Sequence, residues 1–148
     1  MKLVMIHMSV NKYKCIVDWI SKYPNSSSWV YFNASEMEDG NTSVNSVGGD
    51  SKLREYIDGS YDAALTFEMS IVKLYDSEQS DLNTDALAEI DDLVDWIENT
   101  DEELSFGNNH RITDIEVLSL TPNIAVSEAE NLARYTFYGK VYYTFNND

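Results

Sequence analysis

The sequence contains little of what usually cross-links a protein or anchors it. Cys15 is the only cysteine among the 148 residues, so a disulfide within the chain is excluded. We expect an inert thiol and a reducing compartment such as the cytoplasm. The apolar runs are short of the roughly 20 residues that span a bilayer. Residues 3–8 are also too short for a signal peptide and are soon followed by Asn11 and Lys12, so we expect neither secretion nor a membrane partner.

Positive charge is scarce as well. The chain has 26 acidic residues against 10 Lys and Arg, for a formal charge of −16. Binding to duplex DNA requires cations that replace counterions on phosphate, and anionic membranes attract basic segments, so both kinds of partner are disfavoured. The charge is also uneven: residues 76–103 hold 12 acids and no Lys or Arg, whereas residues 1–22 hold four lysines against Asp18 alone.

The familiar signatures of catalysis and cofactor binding are missing from the sequence. It contains no P-loop, dinucleotide fingerprint, HExxH or CxxC motif. His7 and His110 are far apart, and isolated histidines are more often structural than catalytic. We therefore expect no catalytic residues, no metal site and no cofactor.

One string resembles a calcium-binding loop. Asp81, Asn83 and Asp85 have the spacing of the first three ligands, and Asp92 stands at the twelfth position. The sixth position, however, is Ala86, where the loop needs glycine. The start of a helix is the better interpretation.

The clearest helix is predicted over residues 83–100, with Asn83, Thr84 or Asp85 as its N-cap. Acidic residues cover most of its circumference, and Trp96 projects from the acidic side. Its apolar positions recur at helical spacing and fall on one side: Leu87, Ile90, Leu93, Val94 and Ile97.

A first helix is predicted over residues 2–22, ending before Pro24. Besides its main apolar face it has a second stripe containing Met8, Cys15 and Trp19. Two stripes indicate either full burial or contact with another chain.

Strands are predicted at residues 29–32, 61–75, 112–120 and 132–145. In the second of these the apolar alternation changes phase at Val72, which a bulge or a passage from half to full burial would explain. In the last, Arg134, Thr136, Tyr138, Lys140 and Tyr142 share one face. We expect a single α+β domain over residues 1–148, with a mostly antiparallel sheet and both helices packed on one face.

Residues 33–60 lack a strong pattern. Turn signals surround Val44 and Val47, and Gly48 and Gly49 follow. A hairpin or a flexible arm at residues 39–51 is expected, because long irregular segments in small domains are usually functional or disordered.

Four short motifs occur in an order that resembles a known family. They are YIDGS at 56–60, DWIE at 95–98, the segment from IE at 115–116 to LTP at 120–122, and ARY at 133–135. In this order, over most of residues 50–145, they resemble the minor capsid or tail-terminator (tail-completion, head–tail joining) proteins of long-tailed bacteriophages. The polar segment 39–51 departs from that likeness.

The resemblance implies a structural protein of the virion, assembled in the host cytoplasm and placed at the head–tail junction. Six copies would form a homohexameric ring on the head-proximal end of the tail tube. The ring would stop polymerisation of the major tail tube protein and join the tail to the head-completion (stopper) protein. Genomic DNA would pass without specific binding, and the resemblance supplies no catalytic residues.

Three sets of residues are expected to serve such a ring. The subunit interface would include surplus apolar groups and charges of the two helices: Met8, Lys12, Cys15, Trp19, Asp92 and Trp96. The arm that contacts tube or head would include Val44, Val47, Gly48 and Gly49. The acids that face the bore and repel DNA would be Asp91, Asp95, Glu98, Asp101 and Glu102.

The same acidity allows other interpretations. In the plainest interpretation, the acidic residues form a solvated helix face. It also suits an acidic interaction module or a nucleic-acid mimic that occupies a basic site on a partner, as a monomer or dimer. An enzyme with an unrecognised site is the third possibility.

Overall fold

The computed structural model describes residues 11–24, 30–118 and 122–147. In these ranges the elements follow in one order, and the chain forms an α+β fold. They are α1 (Lys12–Ile20), β1 (Val30–Phe32), β2 (Thr42–Glu55), β3 (Tyr61–Leu74), α2 (Ser80–Asn99), β4 (His110–Val117), β5 (Asn123–Ser127) and β6 (Leu132–Phe145).

The sheet has six strands. Five of them follow the order β1-β2-β3-β6-β4, and the sixth, β5, pairs with β6. The β1–β2 pair is parallel and the other pairs are antiparallel. The two 14-residue strands β3 and β6 form its centre, in a register that continues without a shift from Tyr61↔Phe145 to Leu74↔Leu132. On its other side β6 pairs with β4 along its second half and with β5 along its first half.

One face of the sheet is covered by both helices. Because side chains alternate along a strand, Leu65, Phe67 and Met69 of β3 share this face with Tyr135 and Phe137 of β6, and all five are buried. The buried helix residues join the same apolar cluster: Ile16, Trp19 and Ile20 of α1 with Ala86, Ile90, Leu93 and Ile97 of α2. We call this side the covered face.

The opposite side has no helix over it in the described residues. Asp62, Thr66 and Glu68 of β3 lie here, opposite Thr144, Lys140 and Tyr138 of β6. The loop of residues 33–41 covers one end, where Ser35 and Ser70 hydroxyls are 2.8 Å apart and Val72 is fully buried. We call the part of this side that the loop leaves uncovered, with the six residues named above, the open face.

The phase change at Val72 therefore reflects full burial. Ile71 and Val72 are 5% and 0% exposed, and the β3–β6 register shows no bulge there. The first of the two explanations from the sequence was wrong and the second is confirmed.

The helix boundaries differ from the prediction. Asn11 caps α1 with a non-helical backbone and accepts from the Lys14 amide, so a helix running continuously through residues 2–22 is wrong. The part of this prediction that concerns residues 1–10 lies outside the described residues.

Helix α2 begins at Ser80, before the predicted N-cap residues. The Asn83 amide is used elsewhere: it donates to the Asp76 carbonyl at 2.7 Å and accepts from the Asp76 N–H at 3.2 Å. The helix includes residues 81–92, the segment that resembles a calcium-binding loop, as Ala86 indicated.

Of the two structures expected for residues 39–51, the flexible arm is wrong for most of its length, and the segment instead belongs to a hairpin. Residues from Thr42 onward belong to β2, which pairs with β3 to form a long hairpin. A register shift between Ser46 and Asp50 marks a bulge, and Gly48 and Gly49 adopt φ of 70° and 85° within it.

Candidate functional site

The two tryptophans that the sequence suggested as subunit contacts pack inside this chain. Trp19 is 2% exposed, and its indole N–H donates to the Glu102 carbonyl at 3.0 Å. Its ring centroid lies 5.2 Å from that of Trp96, which in turn lies 5.6 Å from Tyr23. The interpretation of Trp19 as surplus apolar surface is therefore wrong. Trp96 is only half-buried, so its part in a subunit contact stays a prediction.

The other proposed interface residues are polar or half-buried. Lys12 pairs with Asp50 at 3.0 Å, with only 15% of its side chain exposed, so its charge is already used within the chain. Cys15 is half-buried, and burial followed by the charge of Asp18 raises the pKa of its thiol. Asp92 is exposed and accepts from the Tyr23 hydroxyl. Met8 lies outside the described residues.

The four proposed arm residues occupy β2 and its bulge. Val44 is fully buried opposite Met69 and so cannot belong to a mobile arm. Val47 is 37% exposed, and its amide donates to the Tyr13 hydroxyl at 3.1 Å, which fixes the bulge to α1. Gly48 and Gly49 have open space around their Cα atoms.

The five proposed bore acids are all exposed, and we call them the acidic surface: Asp91, Asp95, Glu98, Asp101 and Glu102. Only Glu102 forms an ion pair among the described residues, with Lys22 at 3.8 Å. The Asp95 carboxylate accepts from Asn99 at 2.9 Å, and Glu98 accepts from the Val117 amide at 3.4 Å. Their position on a bore remains a prediction.

The open face is the feature that sequence reasoning missed. It carries Arg54, Arg111 and Lys140, whereas Arg134 lies opposite Val72, at the end that the loop of residues 33–41 covers. None of these four forms an ion pair with a described residue, whereas the four recorded ion pairs all use lysines elsewhere. The Arg134 Nε is buried without a hydrogen-bond partner in the described part of the chain.

Carboxylates on the same face are held by neutral hydroxyl and amide donors. Asp62 accepts from Tyr56 and from Thr144, both at 2.7 Å. Glu116 accepts from the Tyr142 hydroxyl at 2.6 Å, and Glu68 accepts from an Asn45 amide at 2.8 Å.

Hydrogen bonding on this face shifts the pKa of Asp62 and of three tyrosines. Hydrogen bonds from Thr144 and then Tyr56 lower the pKa of Asp62, since they stabilise its charged form. Conversely, the pKa of Tyr56 is raised by Asp62, that of Tyr138 by Glu68 and that of Tyr142 by Glu116. The tyrosines are therefore fixed donors over the ordinary pH range.

A concavity of about 1070 Å³ lies beside the hydrogen bonds of Asp62 and Glu116. The tip of the β2–β3 hairpin forms one wall, with Leu53, Tyr56 and Ile57 exposed to 56%, 42% and 109%. Arg111 and Glu116 of β4 form the other wall. We call the three exposed residues the hairpin tip.

The open face could have been found in part from the sequence. The alternation of β6 placed Arg134, Tyr138, Lys140 and Tyr142 on one side. Arg54 and Arg111 carried no such signal, since each belongs to a strand with a register shift.

Neither a protein family nor a curated protein matches this chain in comparisons with known proteins. Within residues 11–24, 30–118 and 122–147, no helix is both long and apolar enough to cross a bilayer. The same residues contain no cluster of His, Cys, Asp and Glu arranged to hold a metal ion.

Proposed function

We propose that this protein is a structural assembly subunit, a tail terminator that forms a homohexameric ring at the head–tail junction of a long-tailed bacteriophage. The ring caps the tail tube, stops polymerisation of the tube protein and joins the tail to the head-completion protein. DNA passes through it without specific binding. The role is structural and not catalytic.

The hairpin tip is the observation that carries an assembly role. Exposed apolar residues are normal when scattered singly, but three of them grouped beside a concavity mark a contact surface. Ile57 is fully exposed and Leu53 is more than half exposed, whereas the large residues of the covered face are almost wholly buried. Surplus apolar surface therefore exists, although not at Trp19.

The choice of this particular assembly rests on the order of motifs described above. The first of them, residues 56–60, coincides with the hairpin tip and the turn before β3. A ring also needs two different patches that meet head to tail, and this chain offers chemically unlike surfaces on its two sides.

The test is the mass of the assembled protein as concentration rises. We expect native mass spectrometry and light scattering to show a species of six 16.9 kDa chains, with ring-shaped particles by electron microscopy. Ile57→Ser should weaken the attachment of that ring to tail tubes without unfolding the chain. A mass of one or two chains at every concentration, with no binding to tubes, would contradict the proposal.

A second candidate is an acidic module that mimics nucleic acid. The acidic surface favours it, because four of its five carboxylates have no ion pair among the described residues. This candidate predicts a monomer or dimer that captures a DNA-binding protein and is displaced by DNA. Competition by duplex DNA distinguishes it from the ring.

A further inference from the structure

The concavity beside the hairpin tip has two chemically unlike walls. The hairpin tip itself is the first wall, and its three residues expose apolar surface. The second wall, on β4, carries the carboxylates of Asp114 and Glu116 together with Arg111. Between the walls, the start of β3 and the end of β6 form a polar floor that includes Asp62 and Thr144. A ligand that fits between these walls needs an apolar side and a polar side.

The net charge of the concavity is negative. Its lining includes four carboxylates, which belong to Asp58, Asp62, Asp114 and Glu116. None of them forms an ion pair with a described residue, and the hydrogen bonds that they accept come from neutral donors. Arg111 is the one cation of the lining, and adding Arg54, which lies 5.6 Å from the ring centroid of Tyr56, still leaves the carboxylates in excess. The concavity therefore attracts cations and repels anions.

The hairpin tip is ordered by the chain itself. The Asn147 side chain donates to the Asp58 carbonyl at 2.8 Å, and its backbone N–H donates to the Ser60 hydroxyl at 3.1 Å. The Tyr56 hydroxyl donates to Asp62 at 2.7 Å on the floor. Because the wall already has its final shape, a ligand that binds there loses little affinity to ordering it.

The exposure of the hairpin tip favours a segment of a macromolecule over a small molecule. Sites for small molecules enclose about 70–90% of the ligand surface. Ile57 is fully exposed and Leu53 is 56% exposed, so this wall projects outward and does not enclose. A chain segment that runs between the walls can cover such a projection from outside.

We propose that the concavity binds an extended basic segment of another protein, in which Lys or Arg residues alternate with apolar residues. Successive side chains of an extended segment point to opposite sides. Its apolar side chains therefore pack on the hairpin tip, while its cations meet Asp114 and Glu116 on β4. The inference rests on the proposed function only in taking the hairpin tip as a contact surface, and it adds the chemistry of the segment that this surface receives.

The experiment titrates the full chain with a synthetic peptide in which Lys and Leu alternate, and calorimetry measures the affinity. The tip variant carries Ile57→Ser, and the wall variant carries Asp114→Asn with Glu116→Gln. The amides of the wall variant keep an oxygen that can accept from the Ile115 N–H and the Tyr142 hydroxyl, and circular dichroism verifies the fold. Each variant should weaken binding about fivefold, since one loses apolar contact and the other loses two attractive charges.

The matched control is Glu128→Gln with Glu130→Gln, which removes the same charge at the turn before β6, at the opposite end of that strand. Its affinity should stay within about twofold of that of the unaltered chain. A second peptide, with Ser in place of every Leu, should bind more weakly, because charge alone does not use the hairpin tip.

Three results would overturn the inference. They are no binding of the Lys–Leu peptide, unchanged affinity in either the tip or the wall variant, and equal affinity for the Ser peptide. The last two would show that the peptide is held by the overall charge of −16. Ring formation is measured separately by native mass spectrometry. A chain that forms hexamers but fails these titrations overturns this inference alone, whereas one that passes them and never forms a ring overturns the proposed ring alone.

Discussion

The two faces of the central sheet are built from the same two strands but do different work. On the covered face, β3 and β6 contribute large apolar side chains that the helices bury almost completely. On the open face the same strands contribute hydroxyl and carboxylate groups, and hydrogen bonds join Thr144 to Asp62 and Tyr142 to Glu116 of β4. The covered face therefore holds the buried apolar core, and association through the open side of the sheet stays a prediction. The following substitutions test that division, beginning with the largest expected effect.

Trp19→Ala should be the most damaging change. It removes a side chain that is 2% exposed, a ring contact with Trp96 and a hydrogen bond to the Glu102 carbonyl. Loss of a buried tryptophan costs about 3–5 kcal/mol. Urea unfolding followed by circular dichroism measures the change. Ile57→Ala is the control at the hairpin tip and should stay within about 0.5 kcal/mol of the unaltered chain. Comparable losses for the two would show that the distinction between core and surface is misplaced.

Gly139→Ala should destabilise the covered face by overpacking. A Cβ at this position would stand 2.3 Å from Phe67 Cζ, so the ring or the strand must move. Overpacking of this kind typically costs about 1–3 kcal/mol. Phe67→Leu makes room for the new methyl group, so the double variant should lose less stability than the sum of the two single changes. Strict additivity in urea unfolding would argue against the predicted clash.

Tyr142→Phe should have a smaller effect, because it removes one hydrogen bond from the open face. The 2.6 Å bond to Glu116 is lost while the ring and its strand position remain. A hydrogen bond of this kind contributes about 0.5–1.5 kcal/mol. The urea midpoint reports the change, and Tyr31→Phe on exposed β1 is a suitable control. A loss as large as that of Trp19→Ala would place the open face in the stabilising core.

The pH dependence of Asp62 should be the most modest signal. Its pKa is lowered in the folded chain, so its contribution to stability is present above the unfolded pKa of about 3.9 and is lost as pH falls through the folded value. Asp62→Asn should therefore flatten the stability curve below about pH 4 and leave it parallel at neutral pH. Unfolding midpoints measured across that range test the prediction. An unchanged acid limb would show that Thr144 and Tyr56 do not favour the charged form.

The long periodic elements could be predicted from the sequence. Helix α2 and β6 each repeat one pattern over at least 14 residues, and β3 alternates as far as Ile71. Their type and the α+β class follow from these patterns. The start of α2 could not be predicted, because Asn83 bonds to Asp76 and is not an N-cap.

Strands β2 and β5 were missed for different reasons. In β2 the bulge at residues 46–50 shifts the register, and the eleven residues after Val44 are all exposed or half-exposed, which removes the apolar alternation. In β5 only five residues pair, and its apolar side chains Ile124 and Val126 remain 48% and 42% exposed.

The candidate site was less predictable than the fold. The pairing of Trp19 with Trp96 depends on how two helices separated by about 60 residues meet, and no local pattern encodes that. Apolar stripes on both helices were visible, but their reciprocal burial was not. Arg54 of β2 and Arg111 of β4 lie on either side of the Asp62–Thr144 pair, so only the strand order brings them together.

The borders of the sheet have a consequence for a protein made in many copies. On one side the exposed backbone is divided between β4 and β5, of eight and five residues. On the other, β1 has only three residues, and β2 beyond it is interrupted by two glycines and carries Lys52 and Arg54. An uninterrupted rim would act as a template on which further copies could stack into fibrils, and broken, charged rims oppose this. A crowded cell could therefore accumulate this chain without its strands merging.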